Sequence, residues 1–142
     1  MEQSRTSLTV RAQRQGLVEI TSDIAAWLTE QTLSDGLLTV FIRHTSASLL
    51  IQENVDSDVQ RDLETFFKAL VPESDKDYRH GAEGPDDMPA HIKGALTQTH
   101  LSIPVSAGRL MLGRYQGIFL FEHRRRPRPR EIVLHFIGQT SS

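Results

Sequence analysis

Four short apolar runs crowd the last third of the chain: HLSIPV (100–105), RLML (109–112), QGIFLFEH (116–123) and EIVLHFIG (131–138). Turns containing Gly or Pro separate them, so this third reads as strands. Earlier segments add more. Ser7 to Ala12 alternates as a strand does, LLTVFIR (37–43) is the nearly continuous apolar run of a well-covered strand, and ASLLIQE (47–53) reads as another. Asp35-Gly36 is expected to turn the chain into the second of these.

Helical spacing appears in three places. Ser22 can cap a helix to about Gln31, with Ile24, Trp27 and Leu28 on one face. Ser57 and Gln60 have capping-box spacing before Val59, Leu63, Phe66, Phe67 and Leu70, and Pro72 stops that helix. Residues 72–86 are a polar loop. Asp87 is then placed to cap a third helix over about 88–98, with Pro89 in its first turn and Met88, Ile92 and Leu96 recurring every four residues. Two or three helices with seven or eight strands predict one α+β domain over residues 1–142, with largely antiparallel sheet.

The absence of cysteine removes disulfides, thiolate nucleophiles and cysteine-based zinc sites together. A cytoplasmic location fits, and no apolar run reaches the roughly 18 residues of a membrane span. The net charge of −2 is uneven: RRRPRPR (124–130) holds five of the 16 basic residues, set against 18 acidic ones. The remainder of the chain is therefore a poor partner for polyanions. The basic run lacks interleaved aromatics and reads as a solvated turn or subunit-edge loop rather than a nucleic-acid site.

Six histidines are many for 142 residues. His44 ends an apolar strand and opens HTSAS, whose small residues leave room for a ligand. His80 lies in the polar loop, and His91 follows Asp87 by four, on one side of a first helical turn. These three imidazoles could converge on a divalent metal with a position left open. Asp87 has two roles open to it, helix cap or partner of His91. Ser46 and Ser48 stand beside His44 without a nucleophile elbow around them. Asn54, Asp56 and Asp58 gather at a helix start, GRYQG (113–117) lets backbone approach a ligand, and Glu122 with His123 marks a sheet rim or pocket.

HTSAS (44–48), Asn54 and Asp56, Tyr78-Arg79-His80, GPDDMPAHIK (84–93), and QGI followed by Glu122 resemble the YjbQ family in matching order along nearly the whole chain. The resemblance implies an α+β homotrimer with secondary thiamine-phosphate synthase activity. That reaction joins hydroxymethylpyrimidine diphosphate to thiazole phosphate and releases pyrophosphate. Another metal-dependent reaction, such as hydrolysis of a small molecule, and a non-catalytic ligand-binding trimer are the alternatives. The resemblance also implies a divalent ion, zinc or magnesium, on His44, His80 and His91, and a small phosphorylated heterocycle as substrate. Catalytic roles then fall to His91, Asp87, Lys93 and Glu122, and substrate contacts to Ser46, Ser48, Asn54, Tyr115 and Gln116. One departure is visible: where the family writes GTWQG, Arg114 and Tyr115 replace Thr and Trp here. Tyr115 keeps a flat ring for stacking, while Arg114 adds a charge.

Overall fold

The computed structural model describes residues 1–73 and 77–140. The chain runs β1 (Glu2–Val10), β2 (Gly16–Glu19), α1 (Thr21–Thr29), β3 (Leu33–Ile42), β4 (Ala47–Glu53) and α2 (Ser57–Leu70). It continues through α3 (Asp87–Leu96), β5 (His100–Ser106), β6 (Arg109–Leu110), β7 (Gln116–Glu122) and β8 (Arg130–Thr140). The fold is α+β, and every strand pairing is antiparallel. No helix among the described residues is long and apolar enough to cross a membrane.

A larger sheet has the order β1-β8-β3-β5-β6, and a smaller one has the order β2-β7-β4. Alternation along β3 and β8 sends Leu38, Val40, Ile42, Ile132, Leu134 and Phe136 into the core, all at most 1% exposed. They meet Leu49, Ile118 and Leu120 of the smaller sheet, with Ile24 and Leu28 of α1 closing the cluster. The other face of the smaller sheet carries Phe119 and Phe121, against which Leu63 and Phe67 of α2 pack. The order is therefore large sheet, small sheet, α2.

Several sequence expectations change here. The run 37–43 is covered on one face only, because its period-two alternation leaves Leu37 and Phe41 40% and 45% exposed. Asp35-Gly36 is no turn: it lies within β3 beside a register shift, with Gly36 opposite Gly138. A Cβ at Gly36 would sit 2.1 Å from the Ile137 carbonyl oxygen, so glycine serves close strand approach there. Asp56, not Ser57, caps α2, because its extended backbone lets the carboxylate accept the Asp58 N–H at 2.9 Å. Ser22 lies inside α1, and the adjacent Thr21 hydroxyl instead accepts the Ile118 N–H of β7 at 2.8 Å. The first strand occupies residues 2–10 rather than 7–12 because its register is set by pairing with β8.

Gly36→Ala should cost roughly 1–3 kcal/mol, the usual range for forcing atoms into filled space. Gly81→Ala, where an added Cβ meets nothing within 4 Å, should stay within about 0.5 kcal/mol of wild type. Urea unfolding of both variants checks the difference, and equal stabilities would remove the close-approach argument.

Candidate metal centre

The two acids opening α3 do not cap it. Asp86 occupies the cap position and Asp87 the first helical one, yet no side-chain capping bond forms. Both carboxylates turn to Arg124 instead. Its Nε donates to Asp86 Oδ2 at 2.9 Å, Nη1 to Asp87 Oδ1 at 2.6 Å, and Nη2 to the Glu83 carbonyl at 2.9 Å. The Arg125 N–H adds a bond to Asp86 Oδ2 at 2.9 Å. Burial acts to raise both carboxyls, but these donors outweigh it, together with His80 at Asp87, and hold both below the ordinary range.

The second oxygen of Asp87 faces two imidazoles. His80 Nε2 lies 2.5 Å from Oδ2 and His91 Nε2 lies 3.2 Å from it. The opposite nitrogen of His91, Nδ1, is 3.1 Å from the Thr45 carbonyl. A carbonyl only accepts, so Nδ1 carries the proton, and Nε2 keeps its lone pair for an ion when His91 is neutral. Gly94, about one helical turn from His91, makes this possible: a Cβ there would stand 2.8 Å from the same carbonyl oxygen. Glu83 completes the group, with Oε2 at 3.7 Å from His80 Nε2. One ligand atom from each of His80, Glu83, Asp87 and His91 lies within 4.8 Å of the others. Beside this cluster, a pocket of about 210 Å³ is lined by His91, His44, Thr45, Ala47, Gly94, Ala95 and Thr99.

The family's sequence model, described as UPF0047 protein YjbQ-like, matches residues 6–139. The chain belongs to this family. The UPF0047 protein sll1880 of Synechocystis is 51% identical over 137 residues, spanning 96% of this chain and 93% of that one. The UPF0047 protein YjbQ of Escherichia coli O157:H7 is 40% identical over 134 residues, 94% of this chain and 96% of its own. The crystal structure of the conserved hypothetical protein TT1486 from Thermus thermophilus superposes with a TM-score of 0.84 at 36% identity. It covers 93% of this chain and 99% of that one.

The motif residues that identify the family do not all meet in one chain. His80, Asp87 and His91 do. His44 stands on the far wall of the pocket, where its Nε2 accepts the Glu131 N–H at 2.8 Å. That bond occupies Nε2, and the Arg130 Nη1 stands 3.4 Å from Nδ1, so both ring nitrogens face other partners. Burial, with the Arg130 guanidinium beside it, holds His44 below the usual histidine value. Lys93 is 3% exposed and absent from the lining of the pocket that His91 borders, and burial lowers its ammonium from the ordinary lysine range. Glu122, 0% exposed, is committed to Arg130, whose Nε and Nη2 donate to it at 2.9 and 2.5 Å. The Ser46 carbonyl takes a further bond from Arg130, and Ser48 is 0% exposed. Asn54, Tyr115 and Gln116 sit at the other end of the smaller sheet, about 20 Å away at the usual strand rise. There the Asn54 N–H donates to the Tyr115 carbonyl at 3.0 Å, and the Arg114 guanidinium lies 5.6 Å from the Tyr115 ring centre.

Glu83, Gly94 and Arg124 were not singled out as site residues by sequence reasoning, and Thr45, a motif residue, acts through its backbone carbonyl rather than its hydroxyl. Arg124 had no local signal, since adjacent acids at a helix start are satisfied by its free N–H groups and dipole, and the residue stands in a charge run of solvated appearance. Arg124 and Arg130 are in fact 5% and 2% exposed. His123, expected only to mark a sheet rim or pocket with Glu122, is buried beneath the site. It is 1% exposed, its Nε2 lies 2.8 Å from Ser48 Oγ, and its Nδ1 has no partner among the described residues.

Burial, aided by Lys93 and Arg130, pushes the His123 pKa down to about 3 from 6.5. The unfolded chain therefore binds a proton that the folded one refuses between those values. The contribution is complete above pH 6.5 and falls as pH drops toward 3, at a limiting slope of about 1.4 kcal/mol per pH unit. His123→Phe should accordingly lose less stability than wild type between pH 7 and 4.5 in urea titrations. Parallel losses would refute this assignment.

Proposed function

We propose that this chain is a cytoplasmic, divalent-metal-dependent enzyme acting on a small phosphorylated heterocycle, by a reaction of the thiamine-phosphate synthase kind. The observation that carries the metal reading is the convergence of two imidazole nitrogens on one oxygen of Asp87, with Glu83 alongside. Ligands about 2.0–2.1 Å from a four-coordinate ion stand roughly 3.3 Å apart, and the contacts of 2.5, 3.2 and 3.7 Å bracket that spacing. Two imidazoles with carboxylates suit zinc better than magnesium, which prefers oxygen. His80, Asp87 and His91 would hold the ion, and Glu83, 61% exposed at its side chain, is the donor able to yield to substrate. When bound, the ion would neutralise charge on a departing diphosphate.

The residues around the ion have separate work. The Thr45 carbonyl orients His91, and Arg124 orients Asp87. The adjoining pocket, walled by Ala47, Ala95 and Gly94, has room for one heteroaromatic ring. The choice of thiamine precursors rests on the family motifs. Nucleic acid is not the proposed partner, because Arg124 and Arg130 are neutralised by buried carboxylates and Arg125 pairs with Glu73.

Purified protein given zinc, manganese or magnesium should form thiamine phosphate and pyrophosphate from the two precursors. His91→Ala should lower turnover by about 100-fold or more. Absence of product with every ion, or an unaffected variant, would overturn the assignment.

A homotrimer is part of the same proposal. Leu37, Phe41 and Ile137 form an exposed apolar row on the larger sheet, each at least 40% exposed. An assembly would also let the Asn54, Tyr115 and Gln116 end of one subunit approach the histidine cluster of another. Light scattering should give about three times the 16.0 kDa chain mass, and a monomer at micromolar concentration would contradict it.

A further inference from the structure

Asp87 has two oxygens, and they have different neighbours. Oδ1 receives Arg124 Nη1 at 2.6 Å, while Oδ2 alone faces His80 and His91. Arg124 cannot swing away readily. Its Nε and Nη2 are fixed by Asp86 and the Glu83 carbonyl, its backbone N–H donates to Glu122 at 3.1 Å, and its side chain is 6% exposed. A planar guanidinium fills three acceptor positions at once, which an ammonium on a flexible stem does not reproduce.

We infer that Arg124 is a metal-selectivity residue: by occupying Asp87 Oδ1 it restricts the carboxylate to one-oxygen ligation and so selects a small four-coordinate cation. This rests on the metal reading above. A carboxylate free at both oxygens can ligate through both, which raises the coordination number and favours larger, oxygen-seeking ions such as manganese and calcium. With Oδ1 held, the set offers two imidazole nitrogens, one oxygen of Asp87 and one of Glu83, the count and donor type of a tetrahedral zinc or cobalt centre. Arg124 touches no atom that would bind the ion, so its effect is exerted through Asp87. The Arg124 contact to the Glu83 carbonyl also ties the loop bearing His80 and Glu83 to the start of α3.

The test uses cobalt(II) as the probe, because a tetrahedral cobalt centre absorbs visible light far more strongly than a six-coordinate one. Wild-type protein, Arg124→Met and Arg124→Lys would each be titrated with cobalt, and then with zinc in competition with manganese. Circular dichroism and thermal melting identify which variants fold. Arg124→Lys keeps the charge and the means to pair with Asp86, so it serves if Arg124→Met does not fold.

Wild type should show the intense tetrahedral bands. A folded variant should show weaker bands and a zinc-over-manganese preference reduced roughly 10- to 100-fold, the range for residues that orient a ligand. An unchanged spectrum and unchanged preference in a folded variant would overturn the inference while leaving the metal site standing. Wild type that takes up no cobalt or zinc would overturn the metal reading, and this inference with it.

Discussion

The ion pair between Glu122 and Arg130 holds the two sheets in working relation. Glu122 ends the central strand of the smaller sheet and Arg130 opens β8, which lies between β1 and β3 in the larger one, and the two side chains are 0% and 2% exposed. Removing one partner of so buried a pair typically costs about 3–5 kcal/mol, because the survivor is left charged without a counter-ion. The same pair shapes the segment between them. Glu122 also accepts the N–H groups of Arg124 and Arg128, which curls residues 124–128 back over its own carboxylate. Arg124 then points at the start of α3. The hold of Arg124 on Asp86 and Asp87 follows from that curl.

What the sequence makes legible is what repeats. β4, β7 and β8 follow alternating or continuous apolar runs, and α2 and α3 follow a spacing of three and four. Their existence and type can be read from local chemistry, since each element needs one face for the core. Positions where a local preference competes with a distant contact are not legible in the same way. Asp35-Gly36 has the chemistry of a turn, but only the presence of Gly138 across the sheet makes it a crossing point. Asp87 has the chemistry of a helix cap, but Arg124, 37 residues later, offers a charged and buried partner.

The site divides along the same line. Asp87 and His91 are one helical turn apart, so their meeting is readable from spacing. His80 joins them through a loop whose path no periodicity encodes. His44 carries a motif as distinctive as theirs, yet its ring is claimed by a backbone donor of β8, at a separation of 87 residues. Motif strength and spatial convergence are different properties. Arginine in a charge run shows the opposite failure: composition suggests solvent, while two of the five members are buried by specific carboxylates.

Gly94 illustrates what this means for tolerance to change. It carries no functional atom, lies in the last turn of α3, where glycine is less favourable than alanine by up to about 1 kcal/mol, and would look like an easy target for improvement. The Thr45 carbonyl seated against it makes the opposite true. Any side chain at that position must move the backbone that orients His91. A saturation screen scored for stability would rank alanine there near neutral or better if the loop gives way, while one scored for the histidine cluster would reject every substitution. The two rankings would separate at this residue more sharply than at either acid.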